Sequence, residues 1–299
     1  MIETPYNNHI SSFLDNIWAE NGLSKNTLDS YRSDISKFIY FILDNNIKIS
    51  NVKTSDINNY IAKRFSKGIS AKSNMRLISS LKKFFRYLYT HKVITYNPTD
   101  NLISPKKIKS LPYSIDVANV DKLLGAPNLK TKIGYRDKAM LELLYACGLR
   151  VTELVSLKIF QISVQNNILR VQGKGNKERV VPINDYALGY INSYINEVRP
   201  SFFNGEPTDD LFLTSRGKAM TRHAFWHIIK KYAKEADIVD NLSPHTLRHA
   251  FATHMINNGA DLRVIQLLLG HTDLATTQIY THIAKKELKE LHNKHHPRA

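Results

Sequence analysis

One cysteine in 299 residues, Cys147, leaves no partner for an intrachain disulfide and excludes a zinc cluster built on cysteine. Its setting, Leu143-Leu144-Tyr145-Ala146-Cys147, is apolar, so the thiol reads as a packed core group rather than a nucleophile. No apolar run approaches the length that spans a bilayer. The opening Met1-Ile2-Glu3-Thr4-Pro5 lacks the basic and apolar regions of a signal peptide, so a soluble, cytoplasmic protein with no membrane insertion is expected. Acid is scarce too: 26 Asp and Glu stand against 42 Lys and Arg, a formal charge of +16 with a sequence pI of about 9.7. A surplus of that size favours a polyanionic partner, because each cation brought to a phosphate releases condensed counterions. Charge alone leaves DNA, RNA and an anionic membrane surface open.

Hydrophobic residues at 42% and charged residues at 23% are ordinary for a globular protein. The length is enough for two domains. Residues 1–97 read as a small helical domain. Ile10, Phe13, Leu14, Ile17 and Trp18 recur at helical spacing, as do Tyr31, Ile35, Phe38, Ile39 and Ile42 after Ser24, a candidate N-cap. A third segment starts around Thr54-Ser55-Asp56, and a fourth carries Leu77, Leu81, Phe84, Phe85 and Leu88. Four amphipathic helices with short polar loops predict a bundle. Over residues 1–110 there are 17 basic and 8 acidic residues, and residues 57–99 hold no acid. Lys72, Arg76, Lys82, Lys83 and Arg86 crowd the last part of that stretch and are candidate phosphate contacts, although any single lysine on a helix face is more often just solvated. Residues 98–112, with Pro98, Pro105, Lys106, Lys107, Lys109 and Pro112, read as an extended basic linker.

From residue 113 to 299 the pattern is mixed but mostly helical. Asp137 to Cys147 predicts a buried helix stopped by Gly148, and Thr152 to Leu157 starts another. Ile168–Val171 and Arg179–Pro182 flank Gly173-Lys174-Gly175-Asn176, which predicts a β-hairpin and hence one small antiparallel sheet. Ser243 as N-cap and Pro244 at the first helical position begin a helix reaching about Asn258.

Four short stretches carry polar groups that generic packing does not require. Arg150 sits in a turn between two apolar helices, in Gly148-Leu149-Arg150-Val151-Thr152-Glu153-Leu154. Lys174 sits at the hairpin tip between glycines. His245 and Arg248 share the first turn of their helix, beside unpaired N–H groups and the positive end of the dipole, which makes a natural phosphate seat. His245 and His249 at i, i+4 also resemble zinc ligands, but no cysteine or nearby carboxylate completes the set. His249 and His254 read as packing or hydrogen-bonding residues. Gly270-His271 breaks an apolar helix, and Tyr280 follows nine residues later. Taken singly, each is more often structural than chemical.

Taken in order, Arg150, Lys174, His245, Arg248, His271 and Tyr280 resemble the signature of the tyrosine recombinase (phage integrase) family, and the resemblance covers nearly the whole chain. It implies a mainly α fold: an N-terminal four-helix, SAM-like core-binding domain and a mostly helical α/β catalytic domain with a small antiparallel sheet. It implies site-specific DNA breakage and rejoining in which Tyr280 forms a 3′-phosphotyrosyl link and releases a 5′-hydroxyl. Arg150 and Arg248 are then the phosphate clamps, Lys174 the acid for the leaving oxygen, His245 an acid/base, and His271 a phosphate hydrogen-bond partner. No cofactor, metal or ATP is needed in that scheme. The closing stretch, Thr277–His282, Leu288–Leu291 and His295–Ala299, points to the branch that resolves chromosome dimers at cell division. The partners implied are a double-stranded DNA recombination site, XerC in a tetramer with two of each subunit, and an FtsK-type DNA translocase. Leu288 and Leu291 are apolar at i, i+3 and suit docking in a neighbour's groove, or packing within their own subunit. A phage or integron integrase is the alternative within the family. A non-catalytic DNA-binding protein and a metal-dependent nuclease are the alternatives outside it.

Overall fold

The N-terminal stripes fold as their spacing requires. In a computed structural model, residues 5–21, 23–102, 115–173, 178–205, 207–238, 242–270 and 282–298 are described, the last stretch with side chains from Leu288 onward. The chain divides into two units, Met1–Ser110 and Leu111–Ala299. The first holds α1 (Asn7–Asn21), α2 (Lys25–Asp44), α3 (Thr54–Ser66) and α4 (Ala71–Thr90). Ile10, Phe13, Leu14 and Ile17 of α1 are buried against Ile35, Phe38 and Ile39 of α2 and Leu81, Phe84 and Phe85 of α4. Edge-on ring pairs organise this core, with centroids 5.3 Å apart for Phe13–Phe84 and 6.0 Å for Phe38–Phe85. Trp18 departs from expectation and is 61% exposed. One residue past Ile17, it lies about 100° round the helix and off the apolar stripe.

Helix starts are fixed locally. Ser70 Oγ accepts the Ser73 N–H at the head of α4, and the Asp56 carboxylate accepts the Lys53 N–H at the head of α3. Ser24 occupies the N-cap position of α2, but its hydroxyl pairs with the Thr27 hydroxyl at 2.9 Å rather than with a backbone N–H. Residues 98–102, read from sequence as the start of a linker, are bound to the bundle. Thr54 Oγ1 donates to the Pro98 carbonyl at 2.8 Å, and Leu102 is buried in the bundle core. The rest of that stretch, with Lys106 and Lys107, lies outside the described residues.

The second unit runs α5 (Val117–Gly125), α6 (Lys132–Cys147), α7 (Val151–Val155), β1 (Ile162–Ser163), β2 (Ile168–Gln172), β3 (Glu178–Pro182), α8 (Asp185–Ser193), α9 (Arg222–Glu235), α10 (Pro244–Asn257), α11 (Leu262–Leu269) and α12 (His282–His295). The sheet is antiparallel in the order β1-β2-β3 and extends the expected hairpin by the short β1. Two residues are too few for an alternation to show in sequence. α6 is buried on every side from Arg136 to Cys147, so it is the axis round which the unit packs. Its charged residues are paired internally: Arg136 with Asp137 at 2.6 Å, and Lys138 with Glu142 at 2.7 Å. Cys147 is fully buried, its Sγ 3.5 Å from the Pro182 carbonyl, and burial pushes the thiol pKa up.

Candidate active site

Two helix ends and two helix starts build the site. α6 stops at Gly148, whose φ of 54° is left-handed, and α11 stops the same way at Gly270 with φ of 66°. At Gly148 an added Cβ would lie 2.4 Å from the Phe251 ring, so the turn demands glycine on space as well as conformation. Arg150 then occupies the N-cap position of α7. Glu153, three residues on, reaches back: its Oε2 accepts the Arg150 backbone N–H at 2.7 Å and its Oε1 accepts Arg150 Nη1 at 2.8 Å.

The start of α10 brings the second arginine. Ser243 Oγ accepts the Thr246 N–H, Pro244 opens the helix, and Arg248 stands four residues after Pro244. Its Nη1 donates to the Gly148 carbonyl and its Nη2 to the Leu269 carbonyl, both at 2.6 Å. These are carbonyls at the C-terminal ends of α6 and α11, where the helix dipoles favour a cation. Arg248 Nη1 lies 3.7 Å from Glu153 Oε2.

A third guanidinium, overlooked in the sequence, comes from β3. Arg179 forks Glu153, Nη1 to Oε1 and Nη2 to Oε2, both at 2.8 Å, and its Nε donates to the Leu268 carbonyl at 2.9 Å. The signals for it were present. Arg179 is two residues from the inward-facing Val181 and pairs in register with buried Val171, so strand alternation puts it inside. Glu153 was equally legible as the N3 partner of a cap.

Glu153 is thus ringed, among the described residues, by Arg150, Arg179 and Arg248. Burial would push its carboxyl up. The hydrogen bonds and charge of Arg179, then the backbone and side-chain hydrogen bonds from Arg150, outweigh that and hold it at about 2. Arg248 is also shifted down, to about 10, here against its charged form, first by burial and then by the charge of Arg150. One carboxylate among three guanidiniums leaves about two positive charges unneutralised in a partly dry setting. Such a cluster is suited to an incoming dianionic or monoanionic oxygen group. Arg150 is the more open cation, its side chain 38% exposed against 11% for Arg248.

The sequence-predicted residues therefore divide into two groups. Arg150 and Arg248, 98 positions apart, meet across Glu153, and His245 stands exposed on the first turn of α10. Lys174, His271 and Tyr280 lie outside the described residues. His254 is a buried packing residue, with Nδ1 at 2.7 Å from the Tyr145 hydroxyl and Nε2 at 2.9 Å from the Ile115 carbonyl. Of the expected DNA contacts, Lys72 and Arg86 are exposed on α4, Lys82 is half-buried, and Lys83 Nζ lies 5.6 Å over the Tyr31 ring. Arg76 is committed in part to buried Asp34, through bonds of 2.7 and 3.2 Å. No group of three or more His, Cys, Asp or Glu among the described residues is placed to hold a metal ion.

The C-terminal segment packs on its own subunit. Leu288 lies against the core of the second unit, His292 Nε2 meets the Ala146 carbonyl at 2.8 Å, and Arg298 pairs with Asp121 and Glu142.

The chain matches the phage integrase family model over residues 114–287 and the N-terminal SAM-like domain of phage integrases over residues 10–92. It belongs to the phage integrase family, the tyrosine-type site-specific recombinases, and is an enzyme of that kind. Among its relatives are the tyrosine recombinase XerD of Pseudomonas putida, 50% identical over 97% of both chains, and XerD of Haemophilus influenzae, 49% identical over 97% of this chain and 98% of that one. Its fold is shared with XerA recombinase, at 30% identity and a TM-score of 0.50 over 98% of this chain and 100% of that one. It is also shared with the XerH recombinase bound to a palindromic difH substrate, at 22% identity and a TM-score of 0.70 over 94% and 83%.

Proposed function

We propose that this recombinase does the work of a XerD subunit, cutting and rejoining one strand of a double-stranded recombination site and resolving chromosome dimers at cell division together with XerC. An FtsK-type DNA translocase is its partner in that process. The likeness to XerD proteins over 97% of the chain supports the role, and the arginine cluster at Glu153 supports the chemistry.

A phosphodiester repels an incoming nucleophile and has a poor alkoxide leaving group. A free phenol, with a pKa of about 10, also needs a cationic setting or a base to attack near neutrality. In this reading Arg150 and Arg248 bind the non-bridging oxygens and offset the charge gained in the pentacovalent transition state. A lysine could not supply the same planar fork. Tyr280 attacks phosphorus, its phenolic proton passes to His245 acting as base, and the 3′-phosphotyrosyl ester forms as the 5′-oxygen leaves with a proton from Lys174. His271 hydrogen-bonds a phosphate oxygen. Because the ester keeps the bond energy, attack by a partner strand's 5′-hydroxyl reverses the step without ATP. The single observation that carries the reading is the pair of arginines around one carboxylate with charge to spare.

The test is capture of covalent protein–DNA adducts across the genome. One recurring site near the replication terminus is the expected result, and Tyr280→Phe removes the adduct while DNA binding persists. Adducts that survive in Tyr280→Phe overturn the nucleophile. Adducts scattered without a common site overturn the chromosomal role.

A further inference from the structure

Arg179 has no part in the chemistry just described, yet it binds both the carboxylate that Arg150 shares and the end of α11. It leaves β3 five residues after Lys174, forks both oxygens of Glu153 at 2.8 Å, and holds the Leu268 carbonyl at 2.9 Å near the end of α11. It is buried. A Cβ on Gly270 would lie 2.9 Å from Arg179 Cδ, so Gly270 sits directly against the arginine stem.

The hydrogen-bond count on Glu153 shows what this does. A carboxylate offers about four lone-pair sites. Oε1 accepts from Arg150 Nη1 and Arg179 Nη1, and Oε2 accepts from the Arg150 N–H and Arg179 Nη2. All four are filled, and two of them by Arg179. The carboxylate cannot rotate without breaking the planar fork, so Arg150 is held from a fixed anchor. Arg248, left at 3.7 Å from Glu153, rests on the two helix-end carbonyls instead of collapsing onto the carboxylate. A buried ion pair contributes little net stability compared with an apolar pair of similar volume, whereas its planar geometry orients whatever shares it.

We infer that Arg179 is a positioning residue for strand cleavage: by locking Glu153 it aims the Arg150 and Arg248 guanidiniums at the scissile phosphate. This rests on the reading that those two arginines bind that phosphate.

The experiment uses the full chain and a nicked duplex of the site mapped from its covalent adducts, with either an ordinary scissile phosphate or a 5′-bridging phosphorothiolate. The sulfur leaves without needing a proton. Four proteins are compared for melting temperature, DNA affinity and single-turnover adduct rate: wild type, Arg150→Ala, Arg179→Lys, and the double variant Arg179→Met with Glu153→Met. Arg179→Lys is expected to bind DNA within about threefold of wild type and to form adduct at least tenfold more slowly on both substrates, because a single ammonium cannot fork the carboxylate. The double variant replaces the buried pair with apolar side chains, so it is expected to melt within a few degrees of wild type and still lose at least tenfold in rate. A double variant that cleaves at the wild-type rate overturns the inference, since a structural role alone would then have been fulfilled. Recovery of Arg179→Lys on the phosphorothiolate also overturns it, by moving the defect to the proton donor. If Arg150→Ala cleaves normally, the phosphate-clamp reading itself has failed.

Discussion

The two units of this recombinase place their charges in opposite ways. The N-terminal bundle has a core of Phe13, Phe38, Phe84 and Phe85 with aliphatic neighbours. Its few buried charged groups, Asp34 and Arg64, lie at the edge of that core. The C-terminal unit buries Arg136, Asp137, Lys138, Glu142, Glu153, Arg179 and Arg199, and threads them with hydrogen bonds to backbone carbonyls and to the Tyr232 hydroxyl. A surface that tracks a phosphate backbone needs cations in water, where screening and mobility are tolerable. A site that stabilises a transition state needs cations whose direction is set before the substrate arrives, and burial with paired partners does that. The same residue types thus serve two purposes, decided by how dry their surroundings are.

The sharpest break between the units is expected at their buried acids. Glu153→Ala leaves three guanidiniums facing one another, at a cost of about 3–5 kcal/mol, and abolishes adduct formation. Asp34→Ala releases Arg76, whose side chain is already 48% exposed and can turn to water, so the loss is about 1 kcal/mol. Urea denaturation of both variants checks this, and equal losses would erase the contrast.

A smaller effect separates the units by pH. Burial holds His292 below its ordinary value and, with the charge of His292, holds His296 down at about 3. Their folded pKa values are depressed, so both bind fewer protons folded than unfolded, and the stability this gives is full above about 6.5 and falls as pH drops below it. Hydrogen exchange corrected for intrinsic rates is expected to show residues 288–298 opening between pH 7.5 and pH 5.5. The described residues of the bundle hold no buried histidine and are expected to stay protected. Opening of both units together would remove the distinction. The smallest effect is at Trp18. Its truncation to alanine is expected to change stability by less than about 0.5 kcal/mol, since it lies outside the core that it seemed to join by spacing.

The fold was legible where one period governs a segment. The stripes of α1, α2 and α4, the glycine stop after Cys147, the Ser243-Pro244 helix start and the 168–182 hairpin all follow from local rules that act within a few residues. Trp18 was misread because it sits beside a stripe rather than on it, and β1 was missed because it is two residues long. In the site, Arg150 and Arg248 were found through an ordered motif set. Arg179 and Glu153 lay within the same quoted stretches and were passed over, because an arginine or glutamate in sequence carries no mark of what it will face.

By itself the sequence determined the periodicities, the breaks between helices, the excess of cations and the order of polar residues, all of which depend on neighbours along the chain. Only the tertiary structure decided that the ends of α6 and α11, the starts of α7 and α10 and the inner face of β3 meet at one carboxylate. That convergence depends on helix ends whose carbonyls need donors and on buried charges that need partners, and both needs are met by residues 21 to 100 positions away.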